Sequence, residues 1–282
     1  MKTDKAGKIM VVTGASSGIG KATAQALANG GAQVVMVCRN ERKGLEAIKE
    51  IKQKVPEATL KLHLADLSSL QEVRKVAAEL KENYPVIDVL INNAGLIPGV
   101  MQTTADGWEL AWATNHLAPF LLTNLLMEPL LASEQGRVIN VTSEAHRLGQ
   151  IDFEHAGKPQ KYSAITAYAD SKLANIHFTY ELARRTEFTN LTVNCLHPGV
   201  VGSSFGSNSN FFIREFFRLA RFFMKTPEKG AETPVYLATS PHLKFISGKY
   251  FKNAKQANSA ADSNNAHVAR RLWDISAEQT GF

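Results

Sequence analysis

The chain has very little cysteine: only Cys38 and Cys195 among 282 residues. A disulfide framework is therefore excluded as its organising principle, and two thiols set far apart in apolar, strand-like runs read as buried and reduced. It also has no run of about 18 uncharged apolar residues, which excludes an ordinary membrane-spanning helix. The start, Met1 to Lys8, is polar and lysine-rich and leads straight into a strand, without the apolar core of a secretory signal. Together these absences give the expectation of a cytoplasmic protein. Lys and Arg number 32 against 26 Asp and Glu, a net charge of +6, yet the excess is spread along the chain. No basic run of the nucleic-acid-binding kind is present, so no nucleic-acid partner is expected. Internal repeats, low-complexity tracts and linkers are absent too, and a single domain over 1–282 is the simplest organisation.

What is present is a regular alternation. Short apolar runs at 9–12, 33–37, 60–64, 86–91, 137–141, 191–196 and 248–251 read as strands, and longer helical patterns separate them. That order implies an α/β fold, a doubly wound parallel sheet of about seven strands with helices on both faces. The expected helices include 41–54, one over 108–127 kinked at Pro119, one over 167–182, and one from Pro227 to Ala238. The tail through Trp273 reads as a polar, helical surface segment.

Two stretches carry chemistry. Between the first strand and the first helix lies Thr13-Gly14-Ala15-Ser16-Ser17-Gly18-Ile19-Gly20. A glycine-rich turn there brings backbone N–H groups and a helix N-terminus close to a pyrophosphate. A tight turn alone would explain one or two glycines, but not three with two serines. Later, Tyr168 and Lys172 stand four residues apart and share one helix face. Such a pair is ordinarily only an exposed helix face, but a cation beside a phenol also favours the phenolate, which makes the tyrosine a proton donor and acceptor.

Thr-Gly-x-x-x-Gly-x-Gly near the start and Tyr-x-x-x-Lys about 150 residues later resemble the short-chain dehydrogenases/reductases. The long interval from Ser143 to Tyr168, filled by the polar stretch 148–163, and the Leu-Ala-Asn after Ser171-Lys172 resemble that family's retinol-dehydrogenase-like branch. The resemblance implies a Rossmann-type sheet and a catalytic set of Asn115, Ser143, Tyr168 and Lys172. Tyr168 would pass the proton, Lys172 would lower its pKa and bond the nicotinamide ribose, and Ser143 would orient the substrate oxygen. Asn115 would hold a water through its backbone carbonyl. For the cofactor it implies Gly14, Ser16, Ser17, Gly18, Ile19 and Gly20 at the pyrophosphate, and Asp66-Leu67 at the adenine, with Asp66 also capping the next helix. Asn93, Ala94 and Gly95 would form the floor, and Pro198, Gly199, Val201 and Ser203 would meet the nicotinamide alongside Tyr168 and Lys172.

Cofactor choice follows from charge. The second strand ends in Cys38-Arg39-Asn40, with no acid to accept from a free ribose 2′-hydroxyl. Arg39, helped by Ser16 or Lys43, argues for the 2′-phosphate of NADP(H). No metal is expected. The segment 203–227 reads as a substrate lid: its stretch 211–225 is aromatic and places Arg214, Arg218, Arg221 and Lys225 at helical spacing. Its readings are a core-covering lid, an apolar substrate wall, and a helix resting on a membrane surface. A lipophilic aldehyde, ketone or alcohol, retinoid-like or steroid-like, is the expected substrate, and the resemblance allows a homodimer or homotetramer. The reading from another class is a non-catalytic NADP(H)-binding sensor or scaffold.

Overall fold

Strand β1 (Ile9–Thr13) sends Val11 into one apolar cluster and Met10 and Val12 into another. In β2 (Gln33–Cys38), Val35 and Val37 oppose Val34 and Met36, and in β4 (Val89–Asn92), Leu90 opposes Val89 and Ile91. Alternation with both sets buried is what a strand held between two helix layers requires. The computed structural model describes residues 7–201 and 225–282, so Ser203 and the 211–224 stretch lie outside the described residues.

With β3 (Thr59–Leu64), β5 (Arg137–Val141), β6 (Thr192–His197), β7 (Lys249–Lys252) and β8 (Lys255–Ala257), the sheet runs in the order β3-β2-β1-β4-β5-β6-β7-β8. The first seven are parallel, and β8 pairs antiparallel with β7. This eighth strand, beyond the expected seven, follows a tight turn in which Asn253 and Ala254 have φ of 53° and 55°. An Asn-Ala pair carries no glycine to announce such a turn.

Helices α1 (Gly18–Asn29), α2 (Glu41–Lys54) and α8 (Pro227–Thr239) cover one face. The other face carries α3 (Leu70–Asn83), α5 (Ala118–Leu125), α7 (Ala164–Arg185) and α9 (Ala266–Thr280). The order reverses between β1 and β4, and a crevice opens at such a switch, at the strand C-termini.

Local chemistry moves several expected boundaries. β4 begins at Val89, three residues later than expected, and just before it the Asp88 carboxylate ties β1 to the loop before β5, accepting from Lys8 Nζ, Ile9 N and Ser133 Oγ. Ser69, not Asp66, caps α3, its hydroxyl accepting from Glu72 N, while Asp66 accepts from the N–H and hydroxyl of Ser68. The helix expected over 108–127 is α4 (Leu110–Trp112), a π-helical segment Ala113–Leu117, α5, and α6 (Met127–Leu131). The distortion precedes Pro119 because proline has no N–H to offer the Asn115 carbonyl one turn back. The C-terminal helix is no surface segment either: Trp273 stands edge-on to Phe120 with centroids 4.9 Å apart, and Leu272 and Ser276 are fully buried. Among the described residues, no helix is long and apolar enough to cross a membrane.

Candidate active site

The glycine turn is built so that no side chain can fill it. Gly14 has φ of +66°, and a Cβ there would stand 2.9 Å from Ala94 Cα. A Cβ on Gly20 would meet the Gly14 carbonyl oxygen at 2.3 Å and Asn93 Nδ2 at 2.5 Å. Asn93 Nδ2 donates to the Thr13 carbonyl, and Thr13 Oγ1 accepts from the N–H groups of Asn93 and Ala94, each at 3.0 Å. These bonds fix the ends of β1 and β4 against each other. Ser17 caps α1 in extended conformation without a side-chain bond, so first-turn N–H groups stay available to an anion.

From this turn a cavity of about 960 Å³ runs past Arg39 and Asp66, over Gly95, to Tyr168, Lys172 and Pro198-Gly199. Every expected cofactor residue among the described ones lines it, Ser16, Ser17, Gly18, Ile19, Leu67, Asn93, Ala94 and Val201 included. Ile97, Ala145, Ile165 and Val200 also line it, apolar positions that the motifs did not mark. Ile165 and Val200 carried readable signals, Ile165 lying one turn before Tyr168 on the same helix and Val200 standing between Gly199 and Val201. At the far end Arg39 lies 3.9 Å from Asp66, both largely exposed, and Lys43 joins the lining. Asn40 uses its side chain to cap α2, accepting from Lys43 N. Cys38 is buried there, and burial raises its thiol to about 11, which keeps it unreactive. Among the described residues no group of three His, Cys, Asp or Glu side chains could hold a metal ion.

At the catalytic end, Lys172 Nζ lies 5.6 Å from the centre of the Tyr168 ring. Lys172 is buried and donates to the Val141 carbonyl at 3.1 Å. Desolvation pulls its pKa down to about 8. The half-buried Tyr168 shares a hydrogen bond with the Ser143 hydroxyl, but burial outweighs that bond and pushes the phenol up to about 12. The direction is opposite to the expected lowering by Lys172. The protein by itself thus holds Tyr168 as a protonated acid.

Asn115 does not line the cavity; it stands behind it, fully buried. Its Oδ1 accepts from Leu96 N at 2.8 Å, and its Nδ2 donates to the Leu96 carbonyl and to Ser171 Oγ, each at 3.0 Å. The carbonyl expected to hold a water accepts from Asn175 Nδ2 at 2.7 Å. A Cβ on Gly95 would come within 3.2 Å of Lys172 Nζ and 3.3 Å of Asn115 Oδ1, so only glycine leaves both groups in place.

Ser143 is held from beneath. Its carbonyl accepts from His146 Nδ1 at 2.6 Å, and His146 Nε2 accepts from Ala260 N at 3.0 Å, which fixes that imidazole as the Nδ1–H tautomer. Glu144 beside it is partly desolvated, yet the Tyr250 hydroxyl, Arg147 and Lys252 hold its carboxyl down to about 2. The 148–163 stretch is tethered by Gln150 N to Asp170 Oδ1, by the Tyr162 hydroxyl to the Pro98 carbonyl, and by Gln279 Nε2 to the Ala156 carbonyl.

Comparison with known proteins agrees with this geometry. The family model described as short chain dehydrogenase matches residues 8–211. The chain is 42% identical to retinol dehydrogenase 14 of Mus musculus over 98% of its own length and 86% of the relative's. It is likewise 42% identical to retinol dehydrogenase 11 of Homo sapiens, with the same coverage. An uncharacterised protein from Mycobacterium paratuberculosis superposes with a TM-score of 0.80 at 31% identity, covering 100% of this chain and 97% of that one. A short chain dehydrogenase from Escherichia coli CFT073, complexed with NADPH, superposes with a TM-score of 0.73 at 25% identity, covering 90% and 100%.

Proposed function

The chain belongs to the short chain dehydrogenase family, in its retinol-dehydrogenase-like branch, and from that premise we propose an NADP(H)-dependent oxidoreductase that interconverts an aldehyde or ketone with its alcohol. The observation that carries the reading is one cavity with a phosphate-type glycine turn at one end and the Ser143–Tyr168 hydroxyl pair, backed by a buried ammonium, at the other. A bound nicotinamide supplies hydride to the substrate carbon, or accepts it. Tyr168, held protonated, gives its phenolic proton to the carbonyl oxygen in reduction and takes it back in oxidation. Ser143 orients that oxygen by a hydrogen bond, and Lys172 stabilises the phenolate that forms. Ile97, Ala145, Ile165 and Val200 add apolar lining that suits a bulky apolar substrate, retinoid-like or steroid-like.

Arg39 and Lys43 are the cations for a 2′-phosphate, a reading supported by the NADPH complex of the Escherichia coli protein. Tyr168→Phe is expected to lower kcat for NADPH-linked reduction of retinal at least ~1,000-fold while NADPH still binds. Near-normal turnover by this variant would refute the assignment. Arg39→Asp is expected to reverse the preference for NADPH over NADH, measured as the ratio of the two Kd values. A wild-type protein that binds NADPH but turns over none of a panel of aldehydes, ketones and alcohols would be a sensor instead.

A further inference from the structure

Asn115 poses a problem that the catalytic motif does not solve. In an α-helix its carbonyl would accept from the N–H of residue 119, which here is proline. The backbone opens into the π segment Ala113–Leu117, and the Asn115 carbonyl turns to another helix for its donor. That donor is Asn175 Nδ2, at 2.7 Å, from a buried side chain three residues beyond Lys172 on α7. Asn175 is held in turn: its Oδ1 lies 3.4 Å from His116 Nδ1, and His116 Nε2 lies 2.8 Å from Ser276 Oγ on the C-terminal helix.

Two proton arrangements are open to this chain, and only one of them bonds Asn175. Asn175 Oδ1 can only accept, so the 3.4 Å contact is a hydrogen bond when His116 carries its proton on Nδ1. His116 Nε2 is then an acceptor and takes the Ser276 hydroxyl proton. If Ser276 instead gave that proton to the Leu272 carbonyl, which lies 2.8 Å from Oγ, His116 would donate from Nε2 and its bare Nδ1 would face the Asn175 oxygen. Burial keeps His116 neutral, lowering its pKa to about 4, so the direction survives across the working pH range.

We propose that Asn175, oriented by His116 and Ser276, is a positioning residue for catalysis: it supplies the Asn115 carbonyl with the donor that Pro119 cannot, and thereby couples the C-terminal helix to the floor of the active site. The coupling runs through consecutive contacts from Ser276 to Leu96. Asn115 grips both backbone groups of Leu96, the residue after Gly95, and Gly95 is the position over which Lys172 Nζ and Asn115 Oδ1 converge. The inference rests on the oxidoreductase reading above only where turnover is the readout.

The test has two arms on the full-length protein. Asn175→Asp keeps the shape but presents a carboxylate oxygen to the Asn115 carbonyl. Its kcat for NADPH-linked retinal reduction at pH 8 is expected to fall at least ~10-fold, with KM for NADPH within about 2-fold of wild type, because the damage lies behind Lys172 rather than in the cofactor cradle. A folded variant with kcat within about 2-fold of wild type would overturn the proposal. The second arm needs neither this variant to fold nor any turnover. In wild-type protein labelled with ¹⁵N-histidine, with the His116 signals assigned through His116→Gln, Nδ1 is expected to carry the proton and Nε2 to be bare. A proton on Nε2 would overturn the proposal even if kinetics were affected. Absence of wild-type turnover on any carbonyl would sink the functional reading and leave this arm to decide the positioning.

Discussion

The two ends of the cavity are built by different means. The pyrophosphate end is specified mainly by backbone: positive φ at Gly14, and no room for a Cβ at Gly14 or Gly20, with the Asn93 and Thr13 side chains tying the strand ends behind it. The catalytic end is specified by buried side chains whose partners lie far away in sequence, Asn115 on Ser171, Asn175 on Asn115, His116 on Ser276, and His146 on the N–H of Ala260. A backbone device is local and can be moved between proteins as a short motif. A side-chain device must be assembled by the whole fold, and it holds groups such as Lys172 in a place where they destabilise the protein.

The sharpest way to break this contrast is Lys172→Met. Turnover is expected to fall at least ~1,000-fold, since the ammonium that stabilises the phenolate is gone. Stability should move the other way. The folded-state pKa of Lys172 is lowered from 10.5 to about 8, so the penalty for burying an ammonium is fully present below pH 8 and fades as pH rises towards 10.5. The variant should therefore be more stable by on the order of 1–3 kcal/mol at pH 7, with the gain vanishing at high pH. Urea denaturation at pH 7 and pH 10.5 measures it, and a variant less stable than wild type at pH 7 would show that Lys172 is a structural cation rather than a strained one.

Gly20→Ala probes the other end. The added methyl would collide with the Gly14 carbonyl, which is backbone and cannot swing aside, so the turn must deform. NADPH Kd is expected to rise about 100-fold, roughly 2.7 kcal/mol, while the His116 and His146 tautomers at the catalytic end stay unchanged. Fluorescence titration gives the first and ¹⁵N spectra the second. An unchanged Kd would mean that the Asn93 and Thr13 side-chain bonds, not the close backbone approach, hold the turn.

The same contrast decides what could be read from the sequence. The glycine turn, α2 over Glu41–Lys54 and β5 over Arg137–Val141 were legible because composition and spacing within a few residues determine them. The described residues that the motifs mark for the cofactor line one cavity, since those motifs sit at strand ends that the parallel sheet brings together. What was hidden depends on distant partners. Pro119 signalled a distortion, but its position and purpose required knowing that Asn175 would stand opposite. The tail through Trp273 reads as a surface segment, yet Ala269 and Leu272 are buried, and just beyond it Ser276 bonds His116 across the core. Lys172 one turn on predicts a lowered Tyr168 pKa, whereas desolvation, which no local pattern reports, raises it.

The smallest expected effect tests whether the catalytic helix tolerates a misplaced charge on its outer side too. Asp170 lies between Tyr168 and Lys172, and burial, assisted by the charge of Asp152, raises its pKa to about 6 against the bond from Gln150 N. Above pH 6 the folded protein carries a carboxylate that it holds less well than the unfolded chain does, and this penalty disappears as pH falls through 3.8. Asp170→Asn keeps an oxygen for Gln150 N, so kcat should stay within about 2-fold. Stability should rise by about 1 kcal/mol at pH 7.5 and by nothing near pH 3.8. His116, His177 and His197, all held neutral by burial with pKa values near 4, lose stability over the same acid range. That loss is common to both proteins and cancels in the difference between them. A difference that grows on acidification would place the strain in the loop that Gln150 begins, and the outer side of the helix would then be a tether rather than a second site of stored charge.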